Sequence, residues 1–279
     1  MPETLRLFSA VTSLMLLVCL EPMFAHDEPY HRINEITVKI ESNPKNPDLY
    51  IERGELYRLT SQLDLALLDF DELALLDPQH EAVNFHCGRL LFESGKNQAA
   101  RIALDHFLSV HPEHLQGLMV RARVLRKLKQ PLLAVQDYSQ ALSLVSYPTP
   151  SLIIEQAQAL VEVGEPYVDL AIQSLDEAIL KHGPLILLES CAIDLEIGHH
   201  HYDAALARID RLLQGTPRKE RWLLRRGEIL EKAGRLEEAS ATYEEALKAL
   251  ASLPNRLQQI PASQALASRI HERLARHHP

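Results

Sequence analysis

Small side chains return along this chain at a nearly fixed interval, and no other feature constrains its fold as tightly. Ala66, Ala100, Ala134, Ala171, Ala205 and Ala239 are separated by 34, 34, 37, 34 and 34 residues. A second series, Gly54, Gly88, Ala122, Ala157, Cys191 and Gly227, runs beside it in steps of 34, 34, 35, 34 and 36. Four residues after each alanine of the first series comes a large apolar side chain: Phe70, Leu104, Tyr138, Leu175, Ile209 and Tyr243. Pro78, Pro112 and Pro217 share an offset of twelve from their alanines. A period of this length describes one supersecondary unit copied six times, each copy needing its neighbours to bury its apolar face.

The residue types fit two antiparallel helices per unit. A small side chain on each helix lets the backbones approach at the crossing, and the bulky residue one turn later is expected to fill the gap between units. Proline, with no backbone N–H, ends the second helix and accepts the turn that follows. Gly95, Gly164, Gly198 and Gly234 fall between the helices of their units, where a helix C-terminus favours positive φ.

The pattern resembles the tetratricopeptide repeat family. Tyr50, Gly54, Tyr57, Ala66, Phe70 and Pro78 carry the resemblance in the first unit, and Gly227, Gly234, Ala239, Tyr243 and Ala246 in the last. It covers about residues 47–254. It implies an all-α fold, a right-handed α-solenoid of about six helix-turn-helix repeats with N- and C-terminal capping helices. Units four and five depart by two extra residues, from Gly164 to Ala171 and from Gly198 to Ala205, read as widened loops. Cys191 and Asp194 also depart, where a small and an apolar residue are usual.

Both ends of the array need lids. Ile36 lies 34 residues before Phe70, so residues of about 30–42, within an N-terminal segment 26–46, are expected to form an orphan second helix. In segment 255–279, Pro261 suits a first helical turn. Leu266, Ile270 and Leu274 line one face there, and Arg269, Glu272, Arg273 and Arg276 the other.

Ahead of the array, the apolar run from Leu7 to Leu20 is too short for a comfortable membrane span, which needs about 20 residues, and fits the core of a signal peptide. Cleavage after Ala25 is expected, giving leader 1–25 and an exported protein, periplasmic or secreted. Removing Glu3, Arg6 and Glu21 changes the formal charge from −9 to −8. An acidic chain without a localised basic patch argues against nucleic acid as a partner. Of the three cysteines, Cys19 leaves with the leader, and Cys87 and Cys191, three repeats apart, are expected to stay unpaired.

Catalytic signatures are missing: there is no phosphate-binding glycine loop, no G-x-S-x-G elbow, and no cysteine with an activating histidine beside it. No cofactor is implied. The family resemblance implies instead a concave groove, lined by first helices, that binds an extended peptide or a partner helix. Family positions map the groove onto Ile51, Glu55, Phe85, His86, Arg89, Phe92, Met119, Arg123, Arg126 and Lys127. They continue through Ile154, Gln158, Glu162, Leu188, Glu189, Glu196, Leu224, Arg225 and Glu228. The lysine-and-asparagine set that clamps a chaperone's C-terminal carboxylate is replaced here by Ile51, Glu55, His86, Gln116 and Val120, which cannot do so. The expected partner-binding residues are Phe85, Arg89, Phe92, Arg123 and Arg126, suited to an acidic or aromatic-rich segment of another protein. The competing reading is that these arginines pair with Glu55 and Glu93.

Fourteen histidines raise a second function, a metal-binding or metal-delivering accessory protein. The candidates are His199-His200-His201, the turn histidines His80, His111 and His114, and His26 at the expected mature N-terminus with His31. None has the spacing of a recognised metal motif.

Overall fold

The protein, described by a computed structural model, is defined over residues 21–277 apart from 79 and 184. Residues 1–20, which hold the run Leu7–Leu20 read as a signal-peptide core and Cys19, and the side chain of His26 lie outside the described residues. Among the described residues there are helices and no strands. The chain divides into two compact units, residues 1–144 and 145–279.

In the first unit, α1 (Glu21–Ser42) packs on the pair α2 (Pro47–Leu59) and α3 (Leu63–Leu76). The pairs α4 (Glu81–Glu93) with α5 (Asn97–Val110), and α6 (Leu115–Lys127) with α7 (Pro131–Ser143), follow in order. The second unit holds α8 (Pro150–Val163) with α9 (Val168–His182), α10 (Ile186–Gly198) with α11 (Tyr202–Gly215), and α12 (Glu220–Lys232) with α13 (Leu236–Ala251). A short α14 (Asn255–Gln258) leads to α15 (Pro261–His277), which packs on α13. This is the all-α, repeat-by-repeat architecture that the periodicity predicts.

Local chemistry explains where the helices start. Asn46, His80, His114 and Thr149 stand at equivalent places, and each accepts a hydrogen bond from the first turn of a first helix. His80 Nδ1 accepts from Ala82 N at 3.2 Å and His114 Nδ1 from Gly117 N at 3.0 Å. Between paired helices, Ser61, Gly95, Lys129, His200 and Gly234 hold positive φ, each five residues before its alanine.

Packing within each pair is set by the small and large series together. A Cβ added at Gly54 would lie 2.8 Å from the Phe70 ring, at Gly88 2.7 Å from Leu104, and at Gly227 2.3 Å from Tyr243. The bulky residue therefore also fills the recess of its own first helix, in addition to the expected gap between units. Phe70 does both, since its ring also stacks on His86 of the next pair at 5.1 Å. Ile36 and Ile40 of α1 join Phe70 and Leu73 in one buried cluster. Ile270 of α15 is fully buried against Tyr243 and Leu250, with Leu266 and Leu274 beside it.

The fifth pair differs from its sequence reading. Its loop is no longer than the others, because α10 runs through Gly198 and the positive-φ residue is His200. Counting back seven residues, the interval that joins Gly54 to Ser61 and Gly227 to Gly234, places Ile193 at the crossing rather than Cys191. Ile193 is buried and stands 16 residues before Ile209, the interval seen from Gly54 to Phe70. Only the fourth pair carries a true insertion, the 3-10 turn Glu165–Tyr167.

Candidate functional site

The first helices present the side chains that sequence singles out, and their surroundings decide what each can do. Glu55 on α2 accepts from Arg89 on α4 and lies 2.7 Å from His86 Nδ1. Burial alone would raise the Glu55 carboxyl, but the hydrogen bond to His86 and the charge of Arg89 outweigh it and hold the group down to about 2. Arg89 also lies over the Phe85 ring at 5.1 Å. Phe85 sits 5.3 Å from Phe107 and 5.0 Å from His114, at the edge of an open cavity of about 270 Å³ that His86 and His111 also line.

The five expected partner residues therefore do not form one uniform patch. Phe85 and Arg89 come together, with the arginine already committed to Glu55. Phe92 packs onto the cluster of Ala100, Leu104, Val120 and Val124. Arg123 and Arg126 are half-buried on α6 and engaged within the chain. Glu93 accepts from Arg58 at 2.9 Å. Of the other expected groove positions, Met119, Leu188, Glu189, Glu196, Leu224 and Glu228 are buried. For the fifth pair the cause is the two-residue register difference, which turns Ser190 and Asp194 outward in their place.

Several of the candidate metal-binding histidines have partners within the chain. His80 and His114 cap helices, His199 lies 3.2 Å from Glu165, and His200 lies 2.8 Å from the Tyr202 hydroxyl. Among the described residues no three metal-binding side chains converge. Cys87 and Cys191 are free and half-buried. Burial, with Asp71 adding to it, pushes the Cys87 thiol up to about 11, away from a reactive thiolate.

Two features escaped the sequence reading. The first is an arginine relay. Arg53 reaches Thr37 and Asp69, Arg121 reaches Asp105 and Asp137, and Arg226 reaches Asp210 and Thr242, each acceptor 16 residues before or after its arginine. Each guanidinium thus ties one first helix to the second helices on both sides, and the ±16 spacing was the signal available to find it. In the fifth pair the cation comes from the other helix. Arg208, 3% exposed, binds Glu196 at 2.7 Å, Glu189 at 3.3 Å and Asp176 at 2.7 Å.

The second is a pair of open cavities in the second unit, about 570 and 480 Å³, sharing Arg221 and Arg225 in their walls. Ile186, Ile193 and Trp222 supply apolar surface to the larger. No helix among the described residues is long and apolar enough to cross a membrane.

The profile of the tetratricopeptide repeat family matches residues 88–149 and 192–254. A comparison with the curated proteins finds no match. Among solved structures, a tetratricopeptide repeat protein from Parabacteroides merdae is 16% identical with a TM-score of 0.57, over 92% of this chain and 98% of that one. PilF from Pseudomonas aeruginosa is 18% identical with a TM-score of 0.54, over 70% of this chain and 87% of its own. At such identities the likeness is one of fold. The matched stretches are tetratricopeptide repeats, and the same register is carried through all six helix pairs.

Proposed function

We propose that the chain is a non-catalytic scaffold that holds a peptide segment or helix of another protein against its first helices, outside the cytoplasm. One observation carries the reading. The open cavities of about 270, 480 and 570 Å³ each have a first helix in their walls, joined by Phe107 of α5 in the smallest and by α15 in the second, and between them they present the aromatic, aliphatic and guanidinium groups that dominate protein–protein contacts. The family's general lack of catalytic activity points the same way. Export is supported by the Leu7–Leu20 run ahead of Ala25. An acidic partner arriving at Phe85, Arg89, Phe92, Arg123 and Arg126 has to compete with Glu55 for Arg89, which weights recognition there toward the aromatic rings.

Site-specific photo-crosslinking in living cells tests the scaffold. Probes at first-helix positions 85 and 186 are expected to trap one defined protein, and probes at the exposed second-helix positions 68 and 102 are expected to trap none. Equal trapping from both sets would remove the first helices as the binding surface. Export predicts a mature chain beginning at His26, read by N-terminal sequencing.

A further inference from the structure

Four exposed arginines of the second unit, Arg211, Arg221, Arg256 and Arg276, have no ion pair or side-chain hydrogen bond among the described residues, and of these Arg221, in the first turn of α12, is the one that lines the two cavities. Its neighbours on those walls are all engaged: Arg218 with Glu220 at 2.5 Å, Arg225 with Asp194, and Arg269 with Glu228. The larger cavity thus sets three guanidinium groups against the single carboxylate of Asp194. Beside that charge lie Trp222 and Ile186, the latter 65% exposed and so available to an apolar side chain of a ligand.

We propose that this double cavity receives an acidic segment of a partner protein, with a carboxylate on Arg221 and a neighbouring apolar side chain against Ile186 and Trp222. The inference rests on the scaffold reading and names its anchor point and its partner's chemistry. A planar guanidinium with all its donors uncommitted is suited to bidentate carboxylate recognition. The chain as a whole carries −9, so attraction is confined to the cavity, over a screening length of about 8–10 Å at physiological salt. A short acidic segment fits inside that range, whereas a broad anionic surface would also meet the surrounding carboxylates.

The one tryptophan of the chain, Trp222, lines the larger cavity and reports its occupancy by fluorescence. The full chain would be titrated with a pool of dodecapeptides carrying Asp or Glu around Leu, Ile or Phe. The same pool with Lys in place of the acids, and vesicles of phosphatidylglycerol, serve as the other arms. A saturable change with the acidic pool alone is expected, weakened about tenfold or more in Arg221→Glu. The lysine pool should then regain binding to that variant. Because Arg221 is exposed and unpaired, its melting temperature should match the parent, and Arg221→Gln provides a second, milder variant. No saturable change, an equal response to both pools, a response to vesicles alone, or an unaffected Arg221→Glu would each overturn the assignment. If position-186 crosslinking still traps its partner in Arg221→Glu, the scaffold stands and this anchor fails. If the parent traps nothing, the scaffold itself fails.

Discussion

The first and fifth repeats solve the same problem from opposite helices. In the first, Arg53 leaves α2 just before the crossing residue Gly54, lies 5.9 and 5.8 Å from the rings of Tyr50 and Tyr57, and binds Asp69 on α3. In the fifth, the place of Arg53 is taken by the fully buried Ala192, and the guanidinium comes from Arg208 on α11, at the place of Asp69. Glu189 and Glu196 stand where Tyr50 and Tyr57 stand, four before and three after the crossing. What repeats is therefore a space between helices that needs a cation and its partners. Which helix supplies the cation is free to change.

The difference should be large in energy. Replacing Arg208 with Met leaves two carboxylates, 6% and 3% exposed, with no cation, and is expected to cost about 3–5 kcal/mol. Arg53→Met strands one carboxylate, Asp69, and removes a donor from the Thr37 hydroxyl, and should cost about 1–3 kcal/mol. Urea unfolding of both variants gives the ranking, and equal losses would break the comparison. Adding Glu189→Leu and Glu196→Leu to the Arg208 variant should recover most of the loss, because the cost is the unpaired charge.

The register of the fifth repeat is the next point to sharpen. With Ile193 at the crossing, Ile193→Ala removes a buried side chain and should cost about 2–5 kcal/mol. Cys191→Ala, at a half-buried site, should cost less than about 1 kcal/mol. The reverse order would restore Cys191 to the crossing.

Much of the fold was legible in the sequence because spacing survives substitution. The alanines at 34-residue steps and the offset prolines gave helix pairs, order and ends, and Ile36 and Ile270 pack where the lids were expected. Register in the fifth repeat was not legible from the small series, since Cys191 is small and Ile193 is not, and the 16-residue interval to Ile209 was the better ruler. The site was less legible still. Sequence offered Glu55, 34 residues away, as a competing partner for the arginines, and Arg89 takes it; what spacing could not show is that His86 shares that carboxylate and that Glu93 goes to Arg58 instead. Arg221 looks like any other surface arginine until the partners of Arg218, Arg225 and Arg269 are known.

Glycines give a smaller test of the same register, one of sign. Gly227→Ala puts a methyl group against the Tyr243 ring and should cost about 1–3 kcal/mol. Gly198 lies inside α10 with open space around its Cβ position, so Gly198→Ala should instead gain up to about 1 kcal/mol. A loss at Gly198 would return that residue to the turn and the insertion to the loop.

The smallest expected effect separates the repeats by their caps. Asn46 opens the first repeat with a group that does not titrate, whereas His114 opens the third with an imidazole that must keep Nδ1 unprotonated to accept from Gly117 N. Burial, then the nearby His111 and His86, lower His114 from its ordinary 6.5, so the folded chain binds that proton less readily than the unfolded one. The stability it lends is whole above pH 6.5 and drains as the pH falls below that value, until the folded group is itself protonated. His114→Asn keeps a good cap and removes the titration. Thermal melts from pH 7.5 down to 5 should therefore diverge, with the parent losing up to about 1 kcal/mol more than the variant over the acid half of the range. Parallel curves would mean that the cap bond contributes nothing, and that the third repeat is held at its start by packing on Phe85 and Phe107 alone.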